Sequence, residues 1–241
     1  MKRLEGKAAL VTGAAKRIGR SLALALAEAG ADVAITYNSS QREAEETAEA
    51  LHGHNVKAIA VPCDVRIPES VQAAVAAAAG EFGRLDLLVN NAGFFETAPL
   101  EAMGIEQWDR MFEINTRGPF LMTQAALPHL RAARGRIVNI GSLGGLHPWA
   151  THAHYCTSKA ALHMLTLTMA KAFAPEITVN CVAPGMITNG EVDPAYEHFA
   201  QKTPMGRNGL PGDVAEAVLF FACGPRFITG QILAVDGGLS L

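Results

Sequence analysis

VTGAAKRIGRSLALALAEAG, residues 11–30, leads from the end of an apolar run through a glycine turn into a helix pattern. The stretch before the turn, Ala8–Val11, is short, aliphatic and uncharged, as a buried strand is. Gly13 and Gly19 stand six residues apart in the turn, and Gly30 closes the helical run behind it. A helix N-terminus presents N–H groups without partners and a partial positive charge, and glycines let the backbone close on a pyrophosphate. Two glycines alone also suit an ordinary tight βα turn, so the reading depends on what surrounds them.

What surrounds them is the same unit repeated. Strand patterns fall at Ala8–Val11, Asp32–Thr36, Val56–Val61, Leu85–Val89, Arg136–Ile140, Thr178–Val182 and Ile232–Val235. Helical patterns lie between them at about 17–29, 41–52, 69–82, 106–133, 153–173 and 213–222. Near-continuous apolar strands joined by helices predict a parallel sheet covered on both faces. The fold expected is a doubly wound α/β domain with seven parallel strands. No linker or repeat interrupts 1–241, which predicts one domain, and the irregular stretch 185–202 suits a lid over the substrate.

Composition narrows the partners. Of 241 residues 49% are hydrophobic and only 18% charged, which excludes a disordered chain. A net charge of −3 leaves no basic surplus for a nucleic-acid backbone or an anionic membrane surface. No stretch approaches the roughly 20 apolar residues that span a bilayer, and the start MKRLEGKAALVTG lacks the apolar core of a signal peptide, so a cytoplasmic address is expected. Cys63, Cys156, Cys181 and Cys223 are widely spaced without a C-x-x-C pair, which suits reduced core thiols. His147, His152 and His154 read as rim histidines, because no nearby acid or thiolate completes a metal set.

TGAAKRIG (12–19), CDV (63–65), NNAG (90–93), Asn115, Ser142, YCTSK (155–159), PG (184–185) and VDGG (235–238) follow one another along nearly the whole chain. In this order and spacing they resemble the short-chain dehydrogenase/reductase family, in its 3-oxoacyl-acyl-carrier-protein reductase-like and pteridine-reductase-like branches. The resemblance implies a Rossmann fold and a nicotinamide cofactor. Arg17 is the departure, standing where the family's glycine motif has a third glycine, and it resembles the pteridine-reductase-like branch.

The end of the second strand bears on the cofactor, since NAD-selective enzymes place an acid there on the ribose hydroxyl. This chain reads Thr36-Tyr37-Asn38-Ser39-Ser40, with no acid before Glu43 and with Lys16 and Arg17 in the facing turn. Guanidinium, hydroxyl and amide donors suit a 2′-phosphate, so NADP(H) is expected. The resemblance further implies that Gly13, Ile18 and Gly19 line the pyrophosphate, and that Asn38 and Ser39 lie at the 2′-position. Asp64 and Val65 would border the adenine, Asn90 or Asn91 with Ala92 and Gly93 the adenosine side, and Pro184, Gly185, Ile187 and Thr188 the nicotinamide carboxamide.

Tyr155 and Lys159 are four apart on a helix pattern and so share one face. A phenol with a pKa near ~10 is a poor acid at neutral pH. An ammonium about 5 Å away would stabilise the phenolate by about 3 kcal/mol at an effective dielectric of about 20, which predicts a lowered Tyr155 pKa. Ser142 follows a strand end, the edge where open α/β sheets bind ligands. The resemblance makes Tyr155 the general acid, Ser142 the partner of the substrate oxygen, Lys159 the holder of the nicotinamide ribose, and Asn115 part of a proton relay to Lys159. Asn115 falls beside Gly118 and Pro119, where a local bend would free a helix carbonyl.

Phe94, Phe95, Leu143, Trp149 and Met186 each follow a strand end or precede Tyr155, which predicts an apolar, aromatic pocket. Three readings follow: an NADPH-dependent carbonyl reductase acting on a ketone or 3-oxoacyl thioester, a pteridine reductase, and a non-catalytic NADP(H)-sensing module. Ser142 favours a carbonyl, because pteridine reductases typically carry an acid there, and the presence of both Tyr155 and Lys159 disfavours the sensor. Helices 106–133 and 153–173 carry more apolar positions than one sheet face needs, and the resemblance suggests a homotetramer or homodimer built on them, with VDGG near a second interface.

Overall fold

The computed structural model describes residues 2–189 and 196–241. Its seven strands form one parallel sheet in the order β3-β2-β1-β4-β5-β6-β7. They are β1 (Ala8–Val11), β2 (Asp32–Tyr37), β3 (Ala58–Pro62), β4 (Leu87–Asn90), β5 (Arg136–Ile140), β6 (Thr178–Pro184) and β7 (Ile232–Val235). The order reverses between β1 and β4, and the crevice beyond the carboxyl ends of these two strands is where such sheets take ligands.

The helices are α1 (Arg17–Glu28), α2 (Gln41–His52), α3 (Pro68–Phe82), α4 (Ile105–Phe112), α5 (Gly118–Ala133), α6 (Ala153–Phe173), α7 (Glu197–Lys202) and α8 (Pro211–Cys223). Each sheet face buries its own aliphatic core. On one, Leu22 and Leu26 of α1 meet Val33, Val138 and Val218. On the other, Val71 and Val75 of α3 meet Leu88, Met122, Leu130 and Ile137. The strands are apolar on both sides because both faces are covered, which is why they read as continuous runs.

The element order matches the expectation, with shifts of a residue or two at several ends. The expected helix 106–133 is instead two α-helices joined by a π-helical turn, Glu113–Arg117. Pro119 has no N–H to give the carbonyl of Asn115, and the Gly118 N–H bonds five residues back to Glu113. A side chain at residue 118 would meet Val65 Cγ2 at 2.9 Å, so only glycine fits this close approach. Within the expected irregular stretch 185–202, Ile187 bridges to Gly209 and α7 forms, while 190–195 lie outside the described residues. Among the described residues no helix is long and apolar enough to cross a membrane.

Candidate active site

The glycine turn is fastened from three sides. Gly13 N donates to Thr36 Oγ1 at 3.2 Å, and Asn91 Nδ2 donates to the carbonyls of Thr12 and Gly13 at 2.9 and 3.0 Å. Thr12 Oγ1 accepts the N–H groups of Asn91 and Ala92 at 3.0 and 2.9 Å. A Cβ at Gly13 would stand 2.9 Å from Ala92 Cα, and Gly13 has a φ of 61°, so glycine is required on both counts. The α1 N-terminus has no side-chain cap, which leaves the Ile18 and Gly19 N–H groups for an anion.

Arg17 also takes a left-handed conformation, φ 53°, which costs a non-glycine residue roughly 1 kcal/mol. It is exposed and forms no ion pair among the described residues. Lys16 does not share that freedom: its Nζ lies 3.9 Å from Glu43, because α2 brings the acid back to the turn. Arg17 is therefore the cation of this corner, with exposed Asn38 and Ser39 at the end of β2. Asp64, expected at the adenine, is held bidentately by Arg66, at 2.6 and 2.9 Å, and this pairing lowers its pKa. Val65 is buried against Gly118.

At the end of β4 the two asparagines part. Asn90 points into the interior, where its Nδ2 donates to Asn139 at 2.8 Å, and Asn139 in turn donates to Thr166 at 2.8 Å. The expectation that Asn90 lines the groove is thus corrected, and Asn91 faces the turn instead. The π-helical turn directs Asn115 inward, fully buried. Its Oδ1 accepts from Phe94 N at 2.8 Å, and its Nδ2 donates to Phe94 O at 2.9 Å and to Ser158 Oγ at 3.1 Å. A Cβ at Gly93 would point between Asn115 Oδ1 and Lys159 Nζ, 3.4 and 3.6 Å away.

Ser142 caps the short turn after β5, its Oγ accepting from Gly144 N at 3.0 Å and standing near enough to the Tyr155 hydroxyl to favour its ionised form. Burial raises the Tyr155 pKa, and the Ser142 hydroxyl only partly opposes this. The lowering expected from Lys159 is not seen, because its buried ammonium turns beneath the ring, 6.0 Å from the ring centre, and donates to the carbonyl of Ile140 at 2.8 Å. Burial drops the Lys159 pKa from 10.5 to about 8. One hydrogen bond leaves two of the ammonium's three donors available, which fits a ribose diol. Nearby Pro184 and Thr188 are buried, and Gly185 and Ile187 half-buried, where β6 ends.

The mouth of the site is aromatic. Phe95, 53% exposed, stacks on His152 and sets its edge on Tyr155, both at 4.8 Å, and Trp149 stacks on Tyr155 at 6.0 Å. Phe94 is half-buried under the Arg110 guanidinium, and Met186 is half-buried beyond β6. Leu143 is a correction: at 4% exposure it packs inward and gives the pocket no wall.

His154 is a second correction, since it is completely buried rather than at the rim. Its Nε2 lies 3.5 Å from Glu96, whose other oxygen accepts from Arg110 at 2.8 Å. Residues that sequence reasoning passed over include Thr12, Asn139, Glu96 and His163. His163 sits under the Ser142 turn, its Nε2 facing Ser142 N at 3.4 Å. Burial, and then the Lys159 charge, hold its pKa down to about 4.

Residues 13–240 match the family model described as Enoyl-(Acyl carrier protein) reductase. A Staphylococcus aureus 3-oxoacyl-[acyl-carrier-protein] reductase, FabG, is 38% identical over 97% of this chain and 98% of its own. Glucose 1-dehydrogenase 2 of Bacillus subtilis is also 38% identical, over 100% and 97%. A blue fluorescent protein from a metagenomic library, solved in complex with NADPH, superposes with a TM-score of 0.93 at 35% identity, covering 99% of this chain and 100% of that one. With the glycine turn, the Tyr155-x-x-x-Lys159 pair and the sheet order in place, the chain belongs to the short-chain dehydrogenase/reductase family and is an oxidoreductase.

Proposed function

We propose that the protein reduces the carbonyl of a small ketone or 3-oxoacyl thioester to an alcohol, with NADPH as reductant. The observation that carries this is the nearness of the buried Ser142 hydroxyl to Tyr155 at the carboxyl edge of the sheet, which offers a substrate oxygen two O–H donors. Bound NADPH supplies a hydride to the carbonyl carbon. The Tyr155 hydroxyl gives its proton to the oxygen, which completes the alcohol, and a phenol whose pKa is raised by burial is in its protonated form for that step. Ser142 donates to the same oxygen and orients it. Lys159 turns its remaining donors toward the nicotinamide ribose, and Asn115 fixes the Phe94 backbone at the pocket wall. On the cofactor side, Ile18 and Gly19 N–H groups take the pyrophosphate, and Arg17, Asn38 and Ser39 the 2′-phosphate. Asn91, Ala92 and Gly93 line the adenosine side, and Pro184, Gly185, Ile187 and Thr188 border the carboxamide.

Paired hydroxyls suit an oxygen acceptor better than an alkene carbon, which supports a carbonyl over the enoyl chemistry in the family model's description. Equal identity to a FabG and to a glucose dehydrogenase leaves the substrate to the pocket loops. The deciding experiment follows NADPH oxidation across 3-oxoacyl thioesters, simple ketones, quinones and dihydropterins. Turnover of a ketone or thioester is expected; turnover confined to dihydropterins would replace the proposal with the pteridine reading, and tight NADPH binding without turnover would replace it with the sensor.

Exposed Phe120 on α5 and Met164 on α6, 45% and 61%, support pairing of these helices in a homodimer or homotetramer. A monomer of 25.4 kDa by light scattering at micromolar concentration would reject that assembly. The free thiols Cys63, Cys156 and Cys181, all buried, support a reducing, cytoplasmic setting.

A further inference from the structure

The edge of the sheet opposite the active site holds a cavity of about 350 Å³, open at one side. It lies where β1, β4 and β5 begin, with Ala8, Leu87 and Arg136 in its wall. Arg3, Arg134, Arg136 and Arg226 line it, together with the Lys7–Asp86 pair. Asp86 is already engaged: it accepts from Lys7 at 3.1 Å, from Arg84 at 2.6 and 2.7 Å, and from Ala8 N at 3.0 Å. No carboxylate lies within ion-pair distance of the other four guanidiniums among the described residues.

Two of these guanidiniums are fixed in place. Arg136 donates to the carbonyls of Phe221 and Gly224 at 2.7 and 2.8 Å, and Arg226 to the carbonyls of Arg134 and Glu176, the latter at 2.8 Å. Part of this arrangement is helix capping, since α1, α5 and α8 all end at this edge. Each helix end carries only about −0.5 of charge, however, so three ends supply about −1.5 against four unpaired guanidiniums. Carbonyl oxygens orient a guanidinium without neutralising it. Arg136 and Arg226 repel each other across the cavity, and that repulsion, after burial, lowers the Arg136 pKa. The same groups reach Cys223, whose thiol feels both Arg3 and Arg136.

We propose that this cavity is a binding site for a small phosphorylated molecule, separate from the dinucleotide groove. Planar guanidiniums held open by backbone carbonyls suit the tetrahedral oxygens of a phosphate. The apolar floor of Leu4 and Leu87 leaves room for a short organic body. The volume lies at the small end of ligand pockets, which fits a phosphate ester or pyrophosphate rather than a full dinucleotide.

The probe is inorganic pyrophosphate, titrated calorimetrically into the full chain with NADP+ in excess, at fixed ionic strength. Saturable binding is expected, weakened about tenfold or more by Arg226→Glu and by Arg3→Glu, and unchanged by Arg17→Ala at the glycine turn. Arg3 makes no hydrogen bond among the described residues, so Arg3→Glu decides the matter if Arg226→Glu fails to fold. Absence of heat up to about 10 mM pyrophosphate, equal binding by all variants, or loss confined to Arg17→Ala would each overturn the proposal, and sulfate binding as tightly as pyrophosphate would overturn its selectivity for phosphate.

Discussion

The β1–β3 half of the crevice and the β4–β6 half are built on opposite plans. On the first, the polar side chains around the glycine turn, Lys16, Arg17, Asn38 and Ser39, are all exposed, and Arg17 forms no ion pair among the described residues. On the second, Asn115, Ser142 and Lys159 are buried and each is tied to backbone. Exposed donors recognise charge, which acts over several ångströms and tolerates side-chain motion. A proton transfer needs atoms within hydrogen-bond reach, and only a packed, fully bonded surround fixes them so. Changes on the reaction side are accordingly expected to be large and on the recognition side selective.

Tyr155→Phe tests the reaction side most severely. Turnover should fall by about 10³-fold or more with NADPH binding preserved, because the phenyl ring keeps its packing against Phe95 and Trp149. Full activity in that variant would remove the tyrosine mechanism. Ser142→Ala should lower turnover by about 10²–10³-fold, the loss of one oxyanion-type donor. In Ser142→Asp, a gain of dihydropterin reduction at the expense of ketones would tie this position to the choice of acceptor.

On the recognition side, Arg17→Ala should weaken NADPH by about 10–100-fold and leave NADH nearly unchanged. Equal losses for both nucleotides would show that Arg17 serves the turn and not the 2′-phosphate. Arg17→Gly sharpens the point, since it should lose the same selectivity while relieving the left-handed strain.

Lys159 links reaction to stability. The unfolded lysine holds its proton to about pH 10.5, the folded one releases it near 8, so between these values the unfolded state binds more protons and stability rises with pH. At neutral pH the buried charge is a burden of about 3 kcal/mol, partly offset by its bond to Ile140. Lys159→Met should therefore abolish turnover yet raise the unfolding free energy at pH 7 by about 1–2 kcal/mol and flatten its rise above pH 8. A less stable variant in denaturant titrations would contradict this account. The smallest effect is expected at Glu96→Gln, which weakens the link from Arg110 to His154: KM should rise about threefold at unchanged kcat, as Phe95 loosens at the mouth. A fall in kcat alone would place Glu96 in the reaction instead.

Much of this was legible in the chain itself. Glycines at a strand–helix junction, alternating apolar runs and the four-residue spacing of Tyr155 and Lys159 are local signals, and local geometry decides them. Errors arose where one residue or one distant partner sets direction. Asn90 and Asn91 are adjacent, and a strand sends neighbours to opposite faces, so nothing in NNAG tells which is inward. Lys16 meets Glu43 only because α2 returns to the turn. The burial of His154 and the place of His163 under Ser142 depend on contacts from β4, β5 and the loops after them, which no spacing along α6 reveals. The Lys159 pull on Tyr155 failed for a different reason: the ammonium turns beneath the ring to the Ile140 carbonyl, and burial is left to raise the phenol pKa against the Ser142 hydroxyl.

The π-helical turn at Glu113–Arg117 also sets the phase of everything after it. An α-helix advances about 100° per residue, and the turn inserts one residue beyond that rhythm. The apolar stripe of α5 is thereby rotated away from that of α4, so α4 packs on α6 while α5 packs on α3 across the same sheet face. A single-residue deletion between 113 and 117 would take out the inserted residue, swing Met122 and Leu130 out of their core and carry Asn115 off its partners together. Fold and chemistry share one register here, and a frame shift of one residue would lose both.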